Sequence, residues 1–145
     1  MPETTISTDI EIAATPERVW AVLADLDGYQ AWNPVWRQVS GQLAPGNRLT
    51  ITSTQPATDK TLTVKVKVVI ADPPARLRWR SNVLGVSSSV HSFILTPEAG
   101  GTLLEQSHTY RGLFTRFTPK TIDRIQSSFE AINQGIKEQA EARFA

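Results

Sequence analysis

The chain of 145 residues contains no cysteine, which excludes disulfides, thiol catalysis and cysteine-ligated metals. It also lacks an excess of either charge: 15 Lys and Arg stand against 14 Asp and Glu, a net charge of +1. Phosphate binding shows as a basic excess, so nucleic acid is not an expected partner. No apolar run approaches the ~20 residues of a membrane span, and Met1-Pro2-Glu3-Thr4-Thr5 lacks the basic and apolar regions of a signal peptide. A soluble, cytoplasmic protein without stable membrane insertion is the expectation. There is no nucleophile motif, phosphate-binding glycine loop or dinucleotide fingerprint, because Gly85 and Gly100-Gly101 stand apart from any strand–helix junction. No cofactor is therefore expected.

What is present reads as one domain over residues 1–145, long enough to bury roughly 68–70% of its unfolded surface without staples. Ile6, Thr8, Ile10 and Ile12 share one parity, the period of a strand with one buried face. Thr15-Pro16 then combines a capping hydroxyl with a proline suited to the first helical position, which predicts a helix over Pro16 to Ala24. Asp27-Gly28 is expected to stop it through a left-handed glycine. One further helical turn is expected over Tyr29 to Trp32, closed before Pro34.

Strand patterns follow at Val35 to Gly41, Arg48 to Thr54, Thr61 to Ile70 and from Leu77 and Trp79, with Pro73-Pro74 between the last two. Ser87 to Thr96 and Thr102 to Arg111 predict a hairpin around Pro97 to Gly101. The period then changes. Ile122, Ile125, Phe129, Ile132 and Ile136 form the stripe of an amphipathic helix behind a second cap signal, Thr118-Pro119. Gly112 to Phe117 reads as a linker or short turn. Grouped strands with helices at the ends indicate an α+β domain with an antiparallel sheet.

Three stretches carry a family resemblance: Ala14-Thr15-Pro16-Glu17-Arg18-Val19-Trp20, Trp32-Asn33-Pro34 and Tyr110-Arg111-Gly112-Leu113-Phe114. Over essentially its whole length the chain resembles the START-related, birch-pollen-allergen-like superfamily, in its bacterial polyketide cyclase/dehydrase branch. The resemblance implies a helix-grip fold: a curved seven-stranded antiparallel sheet around a long C-terminal helix, two short helices after the first strand, and a cavity for an apolar ligand. Relatives of this branch often carry an acid four residues before the glycine matched by Gly112. His108 occupies that place, so no acid role transfers.

Parity points Leu104, Gln106, His108 and Tyr110 inward on the last strand, with Leu77, Trp79 and Phe93 on neighbouring strands. Phe117, Ile125, Phe129 and Ile132 would complete a wall from the helical side, and Trp32 and Trp36 would stand near a mouth. Each of these residues can equally pack a filled core, and periodicity does not separate the two cases. Trp32 and Trp36 either gate the cavity or staple the short helix to the sheet. His108 is the sharpest candidate for chemistry, with Tyr110 beside it. A partly buried imidazole can exchange a proton with a ligand hydroxyl or enol; it can also be a neutral core histidine satisfied by Tyr110 or a backbone carbonyl. His91 depends on register: if Leu95 pairs with Leu104 it lies opposite His108, and a slip of one turns it to the other face. A metal is not expected, since Glu105 has the wrong parity to be a third ligand. Asp25 and Asp27 read as turn residues. Arg111, Arg116 and Lys120 read either as holders of an acidic ligand end or as a solvated face.

Together these features predict binding of a small hydrophobic or amphipathic molecule, lipid-like or polyketide-like, by a monomer or homodimer. The rival is a cofactor-independent aromatase/cyclase-like enzyme in which pocket acid/base groups drive aldol cyclisation or dehydration. A third class, a lipid-transfer or protein-partner module, would use an apolar patch at Leu113, Phe114 and Phe117.

Overall fold

Threonine–proline pairs open both principal helices. The hydroxyl of Thr15 accepts from the backbone N–H of Arg18 and caps α1 (Pro16–Ala24). That of Thr118 accepts from Thr121 N at 3.2 Å and caps α3 (Pro119–Ala142). The computed structural model describes residues 3–54, 60–83, 87–112 and 118–142. A 3-10 turn (Leu26–Gly28) and a short helix, α2 (Tyr29–Trp32), follow α1. Gly28 has φ −77° and continues in right-handed geometry, so it does not end α1; that helix stops earlier, at Ala24, with Asp25 as its C-cap.

The strands are β1 (Glu3–Ile12), β2 (Trp36–Gly41), β3 (Arg48–Thr54), β4 (Thr61–Asp72), β5 (Arg76–Val83), β6 (Ser87–Glu98) and β7 (Gly101–Gly112). They form one seven-stranded antiparallel sheet in the order β1-β7-β6-β5-β4-β3-β2. Only Ala99 and Gly100 separate the paired Glu98 and Gly101, so β6 and β7 run further into their turn than the sequence suggests. Gly100, at φ +89°, supplies the left-handed conformation of that turn. Gly101 lies so close to β1 that an added Cβ would sit 1.9 Å from Ile12 O. Between Val68 and Ile70 the pairing of β4 on β5 shifts, and Ala71, not Ile70, comes opposite Leu77 on the inner face.

The inner face of the sheet and one face of α3 share the core. Phe129, at the middle of α3, and Ile132, Ile136 and Ala140, in its second half, are buried. Ile122 and Ile125, on the same stripe nearer the N-terminus, are only half-buried. The helix is therefore seated firmly at one end and leaves room beneath the other. Among the described residues, no helix is long and apolar enough to cross a membrane.

Candidate functional site

The room beneath the first half of α3 is a cavity of about 270 Å³. Trp36, Ile51, Val64, Val66 and Trp79 supply apolar wall from β2 to β5, while His91, His108 and Tyr110 come from β6 and β7. Ile125, Ser128 and Phe129 close it from α3, and Ser53, Thr54, Ser81 and Ser89 add hydroxyls. The sheet register places its histidines. Val68 pairs with Trp79, Trp79 with His91, His91 with His108, and His108 with Ile6, one row across the strands. In that row Trp79 stacks on His91 at 5.3 Å, and Phe129 lies edge-on to His91 at 5.2 Å and parallel to His108 at 5.8 Å.

The next row inward explains how the histidines are held. Gln106, fully buried, donates from Nε2 to Phe129 O at 3.1 Å and to Asn133 Oδ1 at 2.6 Å. A carbonyl oxygen can only accept, so the amide orientation of Gln106 is determined, and its Oε1 faces His91 Nε2 at 2.9 Å. His91 Nε2 therefore carries a hydrogen. Its Nδ1 lies 2.7 Å from His108 Nδ1. Burial holds both imidazoles below their ordinary range: His91 well below, with the neighbouring His108 adding to the effect against the Gln106 bond, and His108 down to about 4. Both are neutral at pH 7. One hydrogen then lies between the rings, on His108 Nδ1, and His108 Nε2 is a bare acceptor. That atom is buried and has no hydrogen-bond partner among the described residues. Burial also pushes the neighbouring Tyr110 hydroxyl up to about 12.

A second arrangement positions the near wall. Asn33, fully buried, accepts on Oδ1 from Val35 N at 2.9 Å and Trp36 N at 2.8 Å, and on its carbonyl from Arg37 Nη1 at 2.8 Å. This side-chain turn, immediately before Pro34, sets where β2 begins and so aims Trp36 at the cavity.

Residues 3–141 match the polyketide cyclase/dehydrase and lipid transport family. The chain belongs to that family. The protein also shares the fold of solved structures from its wider START-related, birch-pollen-allergen-like superfamily. TTHA0849 from Thermus thermophilus is 20% identical with a TM-score of 0.79, covering 98% of this chain and 100% of that one. A START superfamily protein from Mycobacterium smegmatis is 15% identical with a TM-score of 0.76, over 96% and 98%. The di-domain ARO/CYC StfQ from the steffimycin biosynthetic pathway is 14% identical with a TM-score of 0.76; the match covers 97% of this chain and 51% of that one. No curated protein matches the sequence.

In this polyketide cyclase/dehydrase family member, Trp36, Trp79, His91, His108, Tyr110, Ile125 and Phe129 line the cavity, and of the two registers open for His91 the structure has the one that pairs Leu95 with Leu104. Leu77, Phe93, Leu104, Gln106 and Ile132 do not: they are fully buried in the filled rows behind it. Gln106 acts on the wall indirectly, through His91. Trp32 is a staple and not a gate, its ring packed against Tyr29 at 5.1 Å and over Gly135. Phe117, Leu113, Phe114 and Arg116 lie outside the described residues. Arg111 points away from the cavity, on the parity opposite to Tyr110, and pairs with Glu3 at 2.5 Å, so it holds no ligand end. Among the described residues no group of three or more His, Asp or Glu side chains is placed to hold a metal. The sequence reading missed the β3–β4 wall, Ile51, Ser53, Leu62, Val64 and Val66. Its signal was available: the alternation of β4 continues to Leu62 and Val64, which are exposed although apolar.

Proposed function

We propose that this protein binds a small, largely apolar molecule in the cavity between the sheet and the first half of α3. The supporting observation is a space of about 270 Å³ walled chiefly by aromatic and aliphatic side chains, with a few hydroxyls and the imidazoles of His91 and His108 among them. Each 100 Å² of apolar ligand surface removed from water there contributes roughly 2.5 kcal/mol, and the polar groups set orientation. The volume lies just under the roughly 300–1,000 Å³ of drug-sized pockets, which favours a compact ligand over a long acyl chain. Native mass spectrometry of protein purified from its own host, with denaturing extraction of bound material, tests the reading. A single co-purifying apolar compound supports it. An empty protein that also fails to bind a hydrophobic fluorescent probe refutes it.

A second reading, a polyketide cyclase/dehydrase-like enzyme, draws on the neutral His91–His108 pair at the cavity wall. His108, with Tyr110 and His91 beside it, would there move protons for the substrate. The variant His108→Ala separates the two. Lost turnover with retained affinity favours the enzyme; lost affinity alone favours the binder.

A further inference from the structure

We propose that the outer face of the sheet, the side away from the cavity, docks a second copy of this chain, the basic half of each copy lying on the acidic half of the other. Outward residues alternate along every strand with those that face the core and cavity, so the register places each of them. β3, β4 and β5 carry Arg48, Lys65, Lys67, Arg76, Arg78 and Arg80 outward, all exposed. Their one carboxylate, Asp72, pairs with Arg76 at 3.7 Å. β6, β7 and β1 carry Glu98, Glu105, Glu3, Asp9 and Glu11 outward, all exposed. Their one outward cation, Arg111, pairs with Glu3. A chain with a net charge of +1 thus has one face divided into halves of opposite sign.

The basic half carries repulsion that its own chain does not relieve. Arg48 lies directly opposite Lys67, and Lys67 directly opposite Arg80, three cations abreast on adjacent strands. Like charges so placed destabilise a sheet, and an anionic partner removes that cost. Among the described residues no ion pair joins Arg48, Lys65, Lys67, Arg78 or Arg80 to a carboxylate. By strand and residue spacing the middles of the two halves lie roughly 20 Å apart, about twice the Debye length in ~0.1 M salt, so neither neutralises the other within one copy. Between them runs an uncharged seam on β6, Val90, Ser92, Ile94 and Thr96, in which Ile94 is 37% exposed. A twofold axis lying between two such faces and crossing the seam sets each basic half on the other copy's acidic half and brings Ile94 near its own copy. An anionic membrane or another polyanion would be drawn to one half of this face and repelled by the other, which favours the second copy as occupant. The face presents at most about 700 Å² per copy, slightly below the ~800 Å² of a standard interface, which fits a reversible dimer. The cavity lies on the opposite side of the sheet and stays open in that dimer.

Sedimentation velocity of the full chain tests this. At about 0.1 mM protein a dimer is expected in about 0.05 M sodium chloride, weakening at least about tenfold in about 1 M, where the Debye length falls to about 3 Å. Two charge-reversed variants alter exposed side chains only: Lys65→Glu, Lys67→Glu and Arg80→Glu together, and Asp9→Lys, Glu11→Lys and Glu105→Lys together. Each is expected to be monomeric with an unchanged circular dichroism spectrum. Their equimolar mixture is expected to restore a dimer, since one variant is acidic on both halves of the face and the other basic on both. A wild-type chain that is monomeric in low salt, a dimer indifferent to salt or to either reversal, or a mixture that stays monomeric overturns the proposal. A monomer that sediments with phosphatidylglycerol vesicles also overturns it and assigns the basic half to an anionic membrane. None of these outcomes bears on ligand binding in the cavity, which lies on the other side of the sheet.

Discussion

Replacing Gln106 by leucine removes the centre of the relay while nearly conserving volume, so the consequences are polar and can be worked out bond by bond. Gln106 satisfies His91 Nε2–H at 2.9 Å and Asn133 Oδ1 at 2.6 Å, and makes a further bond to Phe129 O. The Phe129 carbonyl belongs to α3 and keeps its helical environment. The His91 N–H and the Asn133 oxygen keep nothing, since both residues are buried and Asn133 Nδ2 is already without a partner among the described residues. Orphaning a buried polar group costs about 1–3 kcal/mol, so two of them cost roughly 2–6 kcal/mol, and the better burial of leucine offsets part of this. The net expectation is a loss of about 3 kcal/mol, which for a chain of this length is roughly 10 °C in Tm. Urea unfolding at pH 7.5 measures it, with a fall in midpoint and an unchanged slope. Gln134→Leu, on the exposed face of α3, serves as the control and should stay within about 0.5 kcal/mol. A loss below about 1 kcal/mol in Gln106→Leu would refute the reasoning, because a relay that carries the tautomer of His108 cannot be removed so cheaply.

Other consequences are equally measurable. Both histidines are held below their ordinary value of 6.5 in the folded protein, so the unfolded chain binds their protons first as pH falls. Stability is complete above about pH 6.5 and declines by about 1.4 kcal/mol per pH unit per histidine below it. For His108 the decline ends near pH 4 after a loss of about 3 kcal/mol; urea midpoints across this range should follow that slope, and His108→Phe should flatten it. Gly135→Ala should destabilise by about 1–2 kcal/mol despite the better helix propensity of alanine, because its Cβ would lie 2.6 Å from the Trp32 ring. A thermal melt at or above the wild-type Tm would contradict that contact. Asn33→Ala leaves the N–H groups of Val35 and Trp36 without their acceptor, for an expected loss of about 2 kcal/mol and a changed Trp36 fluorescence; an unaltered emission spectrum would show that the turn does not aim that side chain.

Local order in this protein is written in local sequence. Thr15-Pro16 and Thr118-Pro119 start helices because a hydroxyl and a ring lacking an N–H suit a helix terminus wherever the rest of the chain goes. The alternation in β1, β4 and β5 and the stripe from Ile122 to Ile136 likewise need only the geometry of one element. With strands grouped and a helix at the end, these are enough for the α+β class, and the Thr15 to Trp20 and Trp32 to Pro34 stretches point to the family.

The site itself depended on contacts between elements. Both possible registers of the β6–β7 hairpin satisfy its alternation locally, and only the closed two-residue turn against β1 places His91 opposite His108. Whether an apolar residue lines a cavity or fills a core is likewise invisible in a period: Phe93 and Trp79 alternate alike, yet only Trp79 meets the empty space. That difference arises because α3 is seated on the sheet at its second half, where Gly135 admits Trp32, and stands off it at its first. The sequence by itself thus determined which faces are apolar and where helices begin, since those follow from neighbours along the chain. The tertiary structure alone decided which of those faces meet, where they leave a gap, and which nitrogen of His108 is bare, since each depends on groups brought together from distant parts of the sequence.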